Sequence, residues 1–147
     1  MTPLELKKLL IASGFEVYRT MGNDVVLADR VRDNLVLDSG VRCRLRPGDA
    51  AIPLEVRVIM ALRRSEHPDH SEEDIFAKVR ELAAPVLHEG FGEVEFAPRQ
   101  VSDPGDSSRT LETFCEVIFS RTSTDVSEAI ESLKVALTVV KTAESRH

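Results

Sequence analysis

The sequence contains no tryptophan, one tyrosine at position 18 and only two cysteines. With so few aromatic rings, we expect neither an aromatic cage for a cationic ligand nor a surface on which nucleic-acid bases stack. Cys43 and Cys115 lie at alternating positions of predicted strands, where a thiol packs as a small hydrophobic group. We therefore expect two reduced core thiols, and a disulfide between them is the alternative.

Long apolar runs and an excess of positive charge are also missing. No stretch reaches the roughly 18 apolar residues that a membrane-spanning helix needs. The N-terminal segment lacks the basic, apolar and cleavage regions of a signal peptide. A formal net charge of −6 disfavours attraction to nucleic acid or to an anionic membrane surface. We expect a cytoplasmic protein that binds no nucleic acid and does not insert into membranes.

Motifs of known catalytic sites are absent as well. We find no phosphate-binding loop, dinucleotide fingerprint, nucleophile elbow or paired CxxC motif. The seven glycines stand singly at predicted turns, so none builds a backbone cradle for phosphate. His88 and Glu89 end a predicted helix, where an imidazole interacts favourably with the helix dipole. The sequence therefore predicts no catalytic residue and no cofactor.

One group of possible metal ligands stands before the second predicted helix. It consists of His67 and His70, followed by Glu72 and Glu73. The spacing fits no known metal-binding pattern, and acidic residues in a first helical turn have a simpler role with the helix dipole. We expect a solvated loop and a capped helix here, without a metal ion. An enzyme that uses His67 or His70 is kept as a third functional hypothesis.

The amino-acid composition is that of a globular protein. Of 147 residues, 42% are hydrophobic and 30% are charged, which is typical of a folded domain and not of a disordered or membrane chain. At this length one core can form without disulfides or metals. No repeat or linker divides the sequence, so we predict a single domain over residues 1–147.

Periodicity predicts helices at both ends of the chain and near its middle. Thr2, Pro3 and Glu5 form a helix start with a capping box, and Gly14 is typical of a helix end. A second helix is expected over residues 71–88, capped by Ser71 and kinked at Pro85. The last helix is expected to begin near Asp125.

Alternating apolar and polar residues predict strands between these helices. They occupy much of residues 15–63, with a turn at 47–49, and then residues 92–97 and 111–119. We interpret the proline-, glycine- and serine-rich residues 98–109 as a mobile loop. The order, one helix, several strands, a helix, two strands and a helix, predicts an α+β fold in which an antiparallel sheet packs with helices as a two-layer sandwich.

Five arginines share the polar faces of two adjacent predicted strands and are the candidate binding residues. They are Arg42, Arg44 and Arg46 on one strand, and Arg57 and Arg63 on the next. Such a face can bind an anion. Alternatively, carboxylates at alternating positions of other strands neutralise it, and we favour this ladder of ion pairs. The carboxylates considered are Glu55, Glu93, Glu95, Glu112 and Glu116.

A second apolar row predicts a contact between two copies of the chain. Val135 and Val139 lie away from the main apolar stripe of the last helix, and Phe114 and Ile118 lie on the less apolar face of their strand. We predict that these four residues form a homodimer interface. The alternative is that other parts of the same chain cover them.

The order of the predicted elements resembles that of the type III secretion chaperone and YbjN-like group. It runs from a helix at residues 2–13 through strands at 15–63 and a helix at 71–88 to a strand pair and a last helix. Small size, acidity and a leucine-rich first helix ending in Gly14-Phe15 agree with the resemblance. It implies a homodimeric α/β sandwich that binds extended protein segments or acts as an adaptor, without catalysis.

From residues and resemblance together we predict a non-enzymatic protein-binding module of chaperone or adaptor type. Its expected partner is a protein, and a second copy of the chain completes a homodimer. The alternative function is a regulatory domain that binds a small ligand or an anion through the arginine face. Exposed apolar surface would favour the first function, and arginines without carboxylate partners would favour the second.

Overall fold

The computed structural model describes residues 1–46 and 54–145, with side chains to residue 143; the turn predicted at 47–49 lies outside these residues. In chain order the elements are α1 Pro3–Ala12, β1 Val17–Met21, β2 Asp24–Arg32, β3 Leu35–Leu45, β4 Leu54–Arg63, a 3-10 turn Arg64–Glu66, α2 Glu72–Leu82, α3 Ala84–His88, β5 Gly92–Asp103, β6 Asp106–Ser123 and α4 Val126–Ser145.

The strands form one six-stranded antiparallel sheet in the order β1-β2-β3-β4-β6-β5. This architecture confirms the predicted α+β class and element order. Consecutive strands are neighbours from β1 to β4, and β6 lies between β4 and β5. Sheet and helices thus form the two layers of the domain.

The hydrophobic core lies between the helices and one face of the sheet. Strand side chains alternate between faces, and the core receives Val25, Cys43, Val56 and Val117 from β2, β3, β4 and β6. The helices contribute residues at helical spacing to the same cluster: Leu6, Leu10, Ile75, Val79, Leu133 and Val140. The opposite face of the sheet is therefore not covered by these helices.

The first two helices begin with the side-chain caps that the sequence predicts. The Glu5 N–H donates to Thr2 Oγ1 at 3.2 Å, and the Asp74 N–H donates to Ser71 Oγ at 3.1 Å. Pro85 does not kink one continuous helix; α2 ends at Leu82, and the proline occupies the first turn of α3. None of the described helices is long and apolar enough to cross a membrane.

The predicted mobile loop at residues 98–109 is wrong. β5 and β6 remain paired from Gly92↔Ser120 to Asp103↔Asp106, and only Pro104 and Gly105 turn the chain. Asp103 stabilises that turn, since its Oδ1 accepts from the Gly105 N–H at 2.8 Å. The loop-like composition therefore belongs to a long hairpin.

β3 separates from β4 at Gly40 but stays paired with β2. Residues 41–45 pair with β4, whereas residues 35–38 pair only with β2. Gly40 has a φ of +82°, and a Cβ at this position would lie 2.6 Å from the Ile59 carbonyl oxygen. A glycine is required at this bend because side-chain-bearing residues rarely adopt that φ. β4 continues to Arg63 beyond the last pair, Val41↔Val58.

Candidate binding surface on the open sheet face

The arginines predicted from sequence lie on the sheet face that the helices leave uncovered, which we call the open face. Register places Arg42 beside Arg57, and Arg44 beside Glu55. Ile59 lies beside Ile118. The open face consists of the side chains of β2, β3, β4 and β6 that alternate along each strand with the core-facing ones: Asp24, Val26, Arg42, Arg44, Glu55, Arg57, Ile59, Ala61, Arg63, Phe114, Glu116, Ile118 and Ser120.

Arg44 and Arg42 share Asp24 as an ion-pair partner. Arg44 donates to Asp24 through Nε at 2.6 Å and through Nη2 at 2.9 Å, which is a two-pronged bond. Arg42 Nη1 lies 3.8 Å from the same carboxylate, and Arg42 Nη2 donates to Asp38 at 3.3 Å. The hydrogen bond to Asp24 raises the pKa of Arg44. This end of the face is therefore internally neutralised.

Glu55 holds Arg57 on the same face. Arg57 Nε donates to Glu55 Oε1 at 2.5 Å, and the Ser120 hydroxyl donates to the same oxygen at 2.9 Å. Burial acts to raise the pKa of Glu55, but these hydrogen bonds and the charges of Arg57 and Arg44 together lower it below its usual value. Glu55 is only 8% exposed, so its charge depends on these donors.

The favoured ladder of ion pairs is present, with partly different partners. Arg57 pairs with Glu55 as considered from sequence, but Arg42 and Arg44 pair with Asp24 and Asp38, which the sequence reasoning did not name. Asp24 follows a turn, and only the β2–β3 register, Asp24↔Arg44, shows that it faces the arginines.

Arg46 and Arg63, the other two predicted binding residues, lie at the ends of their strands. Arg46 is half-buried at the end of the described part of the β3 region and lines a cavity of about 430 Å³ together with Arg44 and Asp24. Arg63 is exposed, and its guanidinium carbon lies 5.6 Å from the centre of the Phe114 ring. Arg99 approaches that ring to 4.6 Å and also bonds Glu116 at 2.6 Å.

The structure does not bring the four predicted dimer residues together. Phe114 and Ile118 lie on the open face, because their neighbours Cys115 and Val117 point into the core. Val135 and Val139 lie on α4 in the other layer, and Val139 packs against the core. A single flat contact cannot include all four residues, since the sheet separates the two pairs.

The other candidate chemical groups show no converging site. Within residues 1–46 and 54–143, no group of three or more histidine, cysteine or acidic residues is arranged to hold a metal ion. The His67 and His70 rings pack edge to face at 5.9 Å, and Glu72 bonds Arg64 at 2.7 Å. Both cysteines are free and buried, and burial raises the pKa of Cys43 to about 12.

An exposed edge lies along β5, which pairs only with β6. Val94 and Phe96 are more than half exposed there, and the Phe96 ring lies 5.3 Å from Phe76. Pro98 lies in this strand and has no N–H to offer a further strand, and a bulge interrupts the register between residues 93 and 95. Both features hinder the addition of another strand at this edge.

Comparison with known proteins finds no matching family model, no matching curated protein and no matching solved structure.

Proposed function

We propose that the chain is a non-enzymatic protein-binding module of chaperone or adaptor type that holds its protein partner on the open face. One observation carries the proposal: the helices cover one face of the sheet, and the other face has the apolar pair Ile59 and Ile118 at its centre. Arginine–carboxylate pairs border this centre. An apolar centre with a polar border is the usual anatomy of a protein interface.

The ion pairs favour a protein partner over a small anion. Arg42, Arg44 and Arg57 already bond carboxylates of the same face, so an anion would have to displace Asp24 or Glu55. A protein surface can pack over these neutral ion pairs. It can form hydrogen bonds with the exposed oxygen atoms and N–H groups of the pairs without breaking them.

We also propose that the module forms a homodimer through the open face alone when no partner is bound, so that the partner protein and the second copy compete for this face. Ile118 and Phe114 are half-buried in the single chain, and a two-fold contact would place each against its own copy. Val135 and Val139 take no part in this revised contact because they lie in the helical layer.

The test is the substitution Ile118→Glu, which puts an unpaired charge at the centre of the open face. We expect the variant to stay folded by circular dichroism, to run as a monomer in light scattering, and to lose the proteins that the tagged wild-type chain captures from native extract. Val31→Glu is the matched control, since Val31 is 52% exposed on β2 away from this centre. It should behave like the wild type.

The two parts of the proposal can fail separately. A wild-type chain that is monomeric across micromolar concentrations contradicts the homodimer. Captured proteins that bind Ile118→Glu as well as the wild type contradict the use of the open face.

A further inference from the structure

A notch opens in the sheet where β3 leaves β4. β6 pairs with β4 as far as Arg63↔Phe114, but on the other side the last pair with β3 is Val41↔Val58. Within the described residues no strand pairs with that side of β4 beyond this point. A cavity of about 240 Å³ follows this free side. We call it the notch; it is lined by Met60, Ala61, Leu62, Arg63, Glu66, Leu82, Phe114 and Ala143.

The backbone of β4 is available for pairing along the notch. The Ile59 carbonyl oxygen faces β3, since a Cβ on Gly40 would lie 2.6 Å from it. Backbone groups of a strand alternate between its two neighbours, so Ala61 and Arg63 direct their N–H and C=O groups to the same side as Ile59. Met60 and Leu62 direct theirs to β6. Four consecutive residues that line one cavity offer an edge of about 13 Å.

The side chains at the notch combine apolar contact with a positive charge. Leu62 is buried, and Leu82 and Ala143 complete an apolar wall on the helical side. Arg63 lies over the Phe114 ring, with its guanidinium carbon 5.6 Å from the ring centre, and among the described residues it has no carboxylate at ion-pair distance, in contrast to Arg42, Arg44 and Arg57. The planar guanidinium group of an arginine suits a two-pronged bond to a carboxylate.

We propose that the notch binds an extended acidic peptide segment, which adds to β4 as a further strand and places a carboxylate against Arg63. Main-chain hydrogen bonds to Ala61 and Arg63 hold the segment, and the apolar wall takes a side chain of the opposite face. Glu66 also lines the notch and opposes an acidic ligand, which limits the favourable carboxylate position to the Arg63 side. This inference rests on the proposed protein-binding function and adds a second site, at the notch, with a stated ligand class.

The test is an NMR titration of the full ¹⁵N-labelled chain with a synthetic octapeptide of alternating threonine and valine that has one central glutamate. In the free protein we expect the amides of Ala61 and Arg63 to exchange with solvent much faster than those of Met60 and Leu62. The peptide should shift and protect the amides of Ala61 and Arg63. The same peptide with lysine in place of glutamate should bind about threefold more weakly or worse.

Three variants assign the binding to particular groups. Arg63→Gln should weaken the glutamate peptide about threefold, and Glu66→Gln should strengthen it. Ala61→Pro removes an N–H that faces the notch and should abolish binding. Circular dichroism of each variant shows whether it is folded, and Arg63→Gln decides the question if Ala61→Pro is not.

The inference is overturned by slow exchange of Ala61 and Arg63 in the free protein, since the edge is then already covered. It is also overturned if the peptide changes the amide chemical shifts of β5 or of Ile118 and not those of the notch. Equal binding of the two peptides, or no binding at millimolar peptide concentration, overturns it as well. The proposed function is contradicted by a different result, namely native protein partners that ignore Ile118→Glu.

Discussion

At the scale of single residues, carboxylates of this protein are held by arginines from neighbouring elements. Arg80 of α2 donates to Glu93 of β5 through Nε at 2.7 Å and Nη2 at 3.0 Å. The hydrogen bond lowers the pKa of Glu93 below its usual value. The guanidinium of Arg80 also lies 4.7 Å from the Phe96 ring centre. This pair therefore joins α2 to the edge of the sheet and should respond to pH.

We expect Glu93→Gln to lower the free energy of unfolding at pH 7 by about 0.5 kcal/mol, as for a partly exposed ion pair. Because the pKa of Glu93 is lowered in the fold, its contribution is complete above the unfolded pKa and is lost as pH falls through the folded pKa. The difference between variant and wild type should vanish in acid. Urea unfolding at several pH values between 7 and 3 measures it.

Glu81→Gln is the matched control for this pH series, because Glu81 is an exposed glutamate on α2, the helix that carries Arg80. An equal loss of stability in both variants, or a difference that grows in acid, would contradict the assigned role of Glu93.

Residue-scale partners were the least predictable from sequence. The alternation of Arg42, Arg44 and Arg46 indicated a shared face, and this is a local property of one strand. The identity of their partner was not local. Asp24 lies 20 positions before Arg44, and only the pairing register across a hairpin brings the two side chains together.

At the scale of elements, Gly40 stands where β3 separates from β4 while it remains paired with β2. We expect Gly40→Ala to destabilise the protein by about 2 kcal/mol or more, because a positive φ costs about 1–2 kcal/mol for a residue with a Cβ and the new methyl group would also meet the Ile59 carbonyl. Chemical denaturation measures the change. Gly92→Ala is the control: nothing lies within 4 Å of its added Cβ.

Equal midpoints for the Gly40→Ala and Gly92→Ala proteins would show that the bend in β3 tolerates other residues. A selective loss at Gly40 would instead show that the bend in β3 requires this backbone conformation.

Elements were predictable where their signals were local. The capped starts at Thr2 and Ser71 needed only short side-chain-to-backbone bonds, and the structure has both. The prediction for residues 98–109 was wrong because their structure depends on pairing with another strand and not on local composition. Their proline, glycine and serine content is typical of a loop, but residues 98–103 pair across the hairpin with residues between 106 and 115, as far as Asp103↔Asp106.

At the scale of the whole molecule, one core joins all helices to the sheet. Phe119 of β6 is fully buried and belongs to the same cluster as Leu6 of α1 and Leu133 of α4. The domain should therefore unfold in one cooperative step.

We expect Phe119→Ala to lower the free energy of unfolding by about 3–5 kcal/mol through lost burial and a cavity. Far-ultraviolet circular dichroism and the fluorescence of Tyr18, the only tyrosine in a chain without tryptophan, should report the same midpoint. Tyr18 lies on β1, at the sheet edge opposite β5, so its fluorescence reports one edge of the sheet while circular dichroism reports the secondary structure of the whole chain. Two separate midpoints would contradict a single cooperative core.

Pro98 and the bulge at residues 93–95 have a consequence for the protein at high concentration. An open strand edge can template the next molecule, and repeated addition of that kind produces fibrils. Along β5 the missing proline N–H and the broken register interrupt such a template over its middle. These two features of β5 therefore disfavour continuous edge-to-edge stacking of copies through this strand.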